Sequence, residues 1–269
     1  MKVIILTGSE IRHRFFRSKV SLDSRFDVIA TFCEGEEKSL ENRLKSNSGA
    51  SQIELMHVDA RTQAEKDFFG VSINVLPDKS NPKFIPKGAI NDKKIVDSIK
   101  SLNADLIICY GSSLIKSELL DIYSGKFLNV HLGLSPYYRG TATNIWPLIN
   151  LEPEFVGATF MHINAGIDTG EIIHQIRPDI YLGDSPHSIG NRLIAKMTDV
   201  YADIISNFSF LHKEVQPEAE GKLYFNKDFD VNACLKLYKN FSNGMIQTYL
   251  ETHNQKSSPY IVKNRALKS

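Results

Sequence analysis

The sequence predicts an α/β protein built on a doubly wound, mostly parallel sheet, with a short helical C-terminal extension. Three observations lead there. Residues 104–111 form a continuous apolar run, the pattern of a strand covered on both faces, and residues 3–6 form a shorter one. Strand-like runs alternate with segments of helical period as far as His131. Turn-forming residues such as Thr7-Gly8 and Gly111 stand where those runs end.

Taken in order, residues 3–6 are a first strand, and Ser9 is placed to cap a helix through Lys19. Residues 27–32, rich in β-branched and aromatic side chains, are a second strand. A polar stretch follows, most loop-like at Ser46-Asn47-Ser48-Gly49. Residues 57–69 read as a charged surface helix and residues 71–75 as a strand. Pro77, Pro82, Pro86 and Gly88 make residues 77–90 a loop. Asn91 or Asp92 then caps a helix carrying Ile95, Val96, Ile99 and Leu102, which feeds the strand at 104–111. A helix through Leu119 and Leu120 leads to a strand at 127–131. Beyond residue 150, strands at 155–163 and 171–176 flank the loop 164–170. A helix opens at Ser185-Pro186, the proline in its favoured first turn, and runs to about Ile205. Residues 208–221 are a polar connection. Asp230 starts an amphipathic helix with Val231, Cys234, Leu235, Tyr238, Phe241 and Met245 on one face. The expected division is a main domain, residues 1–207, and an extension, residues 208–269.

Composition narrows the function class. The 269 residues are 42% hydrophobic and 23% charged, with a net charge of +1. No strong overall field draws nucleic acid, which is disfavoured as a partner. Cys33, Cys109 and Cys234 are odd in number and far apart, which fits a reducing compartment better than a disulfide framework or zinc cluster. The N-terminal apolar run is too short for a signal core, and no segment is long enough to span a bilayer. A soluble cytoplasmic α/β protein with neither membrane nor metal is the expectation.

Asn129 and His131, two apart on a strand, point to the same face where that strand gives way to Gly133 and Ser135-Pro136. Ligand sites gather at such strand ends. Asp168 lies in a Gly-rich turn between two later strands, and spacing alone does not bring it to His131. Asn129-x-His131, Pro136-x-x-Arg139-Gly140 and Asp168-Thr169-Gly170, in that order, resemble the joint motif of the 10-formyltetrahydrofolate-dependent formyltransferases. That family includes glycinamide ribonucleotide, methionyl-tRNA and nucleotide-linked amino-sugar formyltransferases. The resemblance covers about the first three-quarters of the chain and implies a Rossmann-like formyltransferase fold. It also implies 10-formyltetrahydrofolate as co-substrate and Asn129, His131 and Asp168 as the catalytic residues. Many relatives have Ser-Leu-Leu-Pro where this chain has Gly133-Leu134-Ser135-Pro136; the loop length is kept.

These residue types suit formyl transfer. An asparagine amide donates to the oxygen on which negative charge develops. A histidine moves protons near neutral pH, and an aspartate orients it or accepts a proton. The resemblance further implies a folate site at Ser135, Pro136, Gly166, Thr169 and Gly170, and substrate contacts from Tyr138, Arg139 and Gly140. For Tyr138 and Arg139 a loop pinned by packed aromatics is an equal alternative. Arg12, His13, Arg14, Arg17 and Lys19 form a basic run on the first helix; Arg12 is a candidate phosphate contact, a solvated face the alternative. His162 and His174 read as structural, and Cys109 as core.

The acceptor follows by elimination. A Gly-x-Gly-Ser-Asn-type loop of glycinamide ribonucleotide enzymes is replaced here by Thr7-Gly8-Ser9-Glu10. The residues after 208 are too few and too helical for the β-barrel of methionyl-tRNA enzymes. The chain also starts directly on its first strand, without the leading domain of formyltetrahydrofolate hydrolases. The expected partner is a small-molecule amine, best a nucleotide-linked amino sugar. A non-catalytic folate- or nucleotide-binding module is the alternative of another class. A nucleotide-dependent oxidoreductase is disfavoured, since neither G-x-G-x-x-G nor a ribose-holding acid follows the first strand. The final helix packs on its own domain or across a homodimer.

Overall fold

Alternate residues of β1 (Lys2–Gly8) serve different cores: Val3 and Ile5 pack on one side of the sheet, Ile4 and Leu6 on the other. The same alternation divides Leu106 and Ile108 from Ile107 and Cys109 on the later strand at Leu106–Tyr110. Burial on both faces is why these strands read as unbroken apolar runs. The computed structural model describes residues 1–37, 42, 44, 46, 49–164, 166–216, 221–253 and 258–267. Parts of the loop-like stretch at 46–49, of the loop 164–170 and of the connection 208–221 lie outside the described residues.

Among the described residues the main sheet has seven strands. β2 (Asp27–Glu34), β3 (Pro82–Ile85), β4 (Leu106–Tyr110) and β5 (Phe127–His131) join β1 in parallel, in the order β3-β2-β1-β4-β5. A second, two-stranded sheet begins at β6 (Tyr138–Gly140). β7 (Ala158–His162) and β8 (Ile172–Ile176) extend the main sheet beyond β5, β7 pairing antiparallel with β5 and β8 antiparallel with β7. One face is covered by α1 (Ile11–Val20) and α2 (Gln52–Val75), the other by α3 (Lys93–Ser101) and α4 (Ser117–Ile122). α5 (Trp146–Ile149) and α6 (Pro186–Ser206) complete the first side. The mostly parallel, doubly covered sheet is the architecture expected. No helix among the described residues is long and apolar enough to cross a membrane.

Several local expectations are corrected. Residues 71–75 are the end of α2, which starts in a Ser51/Glu54 capping box and runs 24 residues. Gly70 lowers helix propensity by only about 1 kcal/mol, too little to stop it, and the helix ends before Pro77. The loop at 77–90 contains β3, an edge strand whose Pro82 is tolerated because one side of it faces no partner. Ser9 does not cap α1; Glu10 stands at its N-cap without a side-chain bond.

After α6 the chain returns to the domain. β9 (Lys222–Tyr224) pairs in parallel with β6. α7 (Val231–Ser242) packs on α2 and α5, and its Asn240 donates to the carbonyls of Leu148 and Ile149 at the end of α5. The amphipathic helix is broken at Gly244, where φ is +79°, and continues as α8 (Met245–Thr252). Its buried face is Ala233, Cys234 and Leu237, whereas Leu235 is 53% exposed. Asp230 caps α7 by accepting the Ala233 N–H at 2.9 Å. Asp230→Ala is therefore expected to cost about 0.5–2 kcal/mol in a urea melt, with Asp230→Asn restoring most of it.

Candidate active site

Asn129 and His131 leave β5 on one face, at the carboxyl end of the parallel strands. They line a cavity of about 520 Å³ with Gly8, Tyr110, Thr143 and Asp168. Asn129 and Asp168 also line a second cavity of about 500 Å³, between residues 112–115 and the loop 161–170. Asn129 thus stands on the seam between two spaces.

The His131 ring is almost fully buried and held at both nitrogens. Nε2 lies 3.1 Å from the Tyr138 carbonyl oxygen and 3.1 Å from Thr143 Oγ1. The Thr143 hydroxyl donates its one proton to the Leu132 carbonyl at 2.7 Å. A carbonyl only accepts, so Nε2 carries a hydrogen. Nδ1, 3.3 Å from Asp168 Oδ2, then donates to that carboxylate only when the ring is charged. Gly133 makes room for this packing: a Cβ there would collide with His131 Nε2 and lie 2.7 Å from Thr143 Cβ.

Asp168 is positioned through its backbone. Its φ of +52° is left-handed, which aspartate tolerates better than most residues. Gln216 Nε2 donates to the carbonyls of Asp168 and Gly170, each at 2.8 Å, and the Gly140 N–H donates to Asp168 Oδ2 at 2.9 Å. Within the loop, Thr169 Oγ1 and the Gly166 N–H both donate to Asn164 Oδ1. A side chain at Gly170 would collide with the His162 carbonyl.

The structure brings Asn129, His131, Asp168, Gly140 and Arg12 to the first cavity, and Gly166, Thr169 and Gly170 to the second. It does not bring the rest. Ser135 and Pro136 are buried beside β7 and β8, where the Ser135 N–H donates to Thr159 and its carbonyl accepts from Gln175. Tyr138 is buried beneath the site, its hydroxyl donating to Glu152 and its ring stacked on Tyr224. Arg139 lies opposite Leu223 in the small sheet, outside both cavities.

Three cations of the basic run, Arg12, Arg17 and Lys19, are paired with carboxylates. Arg12 lies between Glu10 and Glu65; burial works against its charge, and the two carboxylates more than offset that. Arg17 pairs with Asp78 at 2.9 Å and Lys19 with Asp199 at 2.6 Å, while Arg14 donates to the Ile73 carbonyl. His13 is buried against Gly8 and Gly111, and burial pushes its pKa well down.

Glu34 was not anticipated. It ends β2, where a dinucleotide-binding sheet holds ribose. Here it is fully buried and accepts from Lys87 Nζ at 3.1 Å, the Gly88 N–H at 2.9 Å and the Ser113 N–H at 2.6 Å. An acid does therefore stand at that place, but it ties loops together. Its position at the end of an apolar strand was the available signal. Thr143 and Gln216 had none, since their partners are set by tertiary folding.

Beside the site, His57 and His187 are buried, and Tyr238 Oη lies 3.1 Å from His57 Nδ1 and 3.5 Å from His187 Nε2. Burial, then nearby charge, pushes His57 down to about 3 and His187 to about 4. Both rings fold neutral and prefer to be charged when unfolded. Their contribution to stability is whole above the ordinary value near 6.5 and is lost as pH falls toward those folded values. Each is expected to remove up to about 1.4 kcal/mol per pH unit in that window. Denaturation at pH 7, 6 and 5 checks this, and His57→Phe should flatten the decline.

Comparison with known proteins adds the family context. Residues 2–205 match the model of the family described as formyl transferase. The methionyl-tRNA formyltransferase of Finegoldia magna is 36% identical over 160 residues, 53% of this chain and 50% of that protein. That of Thermosynechococcus vestitus is 32% identical over 142 residues, 52% of this chain and 42% of the other. The chain spans about half the length, or less, of the curated relatives it matches. Among solved structures, a sugar N-formyltransferase from Shewanella sp. aligns with a TM-score of 0.57 at 17% identity, covering 89% of this chain and 87% of that one. Phosphoribosylglycinamide formyltransferase from Anaplasma phagocytophilum aligns with a TM-score of 0.55 at 14% identity, covering 84% and 98%. At such identities the likeness shows the fold.

Proposed function

The chain belongs to the formyl transferase family, and we propose that it moves the formyl group of 10-formyltetrahydrofolate to a primary amine of a small molecule, a nucleotide-linked amino sugar. The observation that carries this is the His131–Asp168 contact of 3.3 Å with Asn129 on the seam of two cavities. Two substrates meeting at one polar seam is the geometry group transfer needs.

The second cavity suits a flat heterocycle. Leu114 and Ile115 on one wall and Met161 and Ile167 on the other are apolar, and backbone groups of the loop 166–170 line its edge. These residues would hold the folate ring, which supplies an activated formyl group. Asn129 Nδ2 donates to the formyl oxygen as negative charge develops on it. His131 and Asp168 take the proton the amine loses and return it to the departing nitrogen.

The acceptor rests on the first cavity. Glu10 and Glu65 neutralise Arg12, so the first helix offers no cluster of uncompensated charge for a terminal phosphate. A second reading, the amine of methionyl-tRNA, is favoured by the names of the curated relatives. Incubation with 10-formyltetrahydrofolate and each amine in turn, read by mass spectrometry as gain of one formyl group, separates them. Turnover of an amino-sugar nucleotide supports the proposal. Turnover of methionyl-tRNA or glycinamide ribonucleotide with silence across amino sugars overturns the acceptor.

A further inference from the structure

Past Leu132 and Ala142 the first cavity continues into a smaller pocket of about 210 Å³. Its walls come from α2 (His57), from α6 (His187, Asn191, Ile194), and from Ile145 and Phe229. One polar atom there is unmatched. Asn191 is 4% exposed, lines the pocket, and its Nδ2 has no hydrogen-bond partner among the described residues. A buried amide N–H without an acceptor is costly, so the ligand that enters is selected for an oxygen at that point.

The remaining chemistry limits what that ligand group is. The His57 and His187 rings lie 5.0 Å apart, and Phe229 is 5.0 Å from His57. Both histidines are held neutral by burial. Ile145, Ile194 and Phe229 offer apolar surface to the same space. Arg12, Arg61 and Glu65 also line the pocket, but both arginines already face carboxylates, Arg12 those of Glu65 and Glu10 and Arg61 that of Glu10. A carboxylate or phosphate would therefore be desolvated beside Glu65 and compete with carboxylates in place, which disfavours it. A purely alkyl group would leave Asn191 unmatched.

We propose that this pocket is a specificity subsite for the acceptor, taking a small uncharged acylamino substituent whose carbonyl oxygen accepts from Asn191 Nδ2 and whose methyl packs against Ile194 and Phe229. The proposal rests on the formyl-transfer reading for its purpose. Its binding chemistry stands on the pocket alone, so the two are tested apart.

The test uses ¹⁵N-labelled full-length protein and N-methylacetamide as the probe, with acetate and isobutane-saturated buffer as controls. The Asn191 side-chain amide signal is assigned by its disappearance in Asn191→Asp, which keeps the shape and replaces the donor by an acceptor. The expected result is a saturable shift of that signal and of the His187 ring with N-methylacetamide, and none with acetate. In Asn191→Asp, the His187 response should weaken about three- to tenfold in apparent affinity, the effect of one hydrogen bond. With an acceptor found in the amine screen, Asn191→Asp should raise KM for the acylamino-bearing form by the same factor, leaving kcat within twofold. Absence of any shift with N-methylacetamide, or an equal shift with acetate or with isobutane, overturns the subsite even where formyl transfer is observed. A normal N-methylacetamide response in a protein that formylates no amine sinks the formyl reading and leaves the pocket chemistry standing. Asn191→Leu, read by the same His187 shift, provides a second variant should Asn191→Asp fail to fold.

Discussion

Formyl transfer by His131→Ala is expected to fall about 10²- to 10⁴-fold, the range for removing a positioned proton-transfer group. The reason is geometric. The ring is fixed by the Tyr138 carbonyl and Thr143 on one nitrogen and faces Asp168 on the other, so its removal leaves Asp168 without the group that shares the proton with it. Asp168→Asn should also fall, by a smaller factor, because the amide oxygen can still accept the Gly140 N–H while the charge facing Nδ1 is gone. The loss should appear in kcat more than in KM, since neither change narrows a cavity. Single-turnover rates with the acceptor from the amine screen provide the measurement. Activity of His131→Ala within a few-fold of wild type would show that the proton moves elsewhere.

The largest effect on stability is expected at Glu34. Glu34→Ala should lower the free energy of unfolding by about 3 kcal/mol, the low end of the range for breaking a buried ion pair, because Lys87 keeps some contact with water. Two backbone N–H groups, of Gly88 and Ser113, also lose their acceptor. Glu34→Gln should recover part of the loss. Burial alone would raise the Glu34 pKa; Lys87 and the Ser113 N–H outweigh it, and the group is held below the ordinary glutamate range. The sign follows: its stabilisation is present above about pH 4.5 and disappears as pH falls through the lower folded value. Urea titrations at pH 7 and pH 4 test both parts. A Glu34→Ala change under about 1 kcal/mol at pH 7 would remove the ion pair from the account of stability.

What was legible in the sequence was whatever a short window contains. β4 is an apolar run of strand length buried on both faces, so its burial is written in consecutive residues. The shared face of Asn129 and His131 follows from a period of two. β3 was hidden by Pro82, which marks a loop unless an edge is known to be nearby. Val71 and Val75 looked strand-like because β-branching is a local signal, while helix continuation past Gly70 depends on the whole of α2. β6 and β9 are three residues each and exist only through their pairing. In the site, the Asp168 approach to His131 came from the resemblance, not from spacing. Glu34, Thr143 and Gln216 act through partners distant in sequence, and no pattern of neighbours shows them.

Gln216 and β9 have a consequence for divergence within this family. The family match ends at residue 205, yet Gln216 fixes the carbonyls of Asp168 and Gly170, and β9 lies along the segment that donates to Asp168. Residues beyond the family match therefore help hold the loop that brings Asp168 to His131. Grafting the residues beyond α6 from one member onto another would exchange more than a peripheral tail. A chimera joined at residue 207 would inherit its strand core from one parent and the spacing of its His–Asp contact from the other.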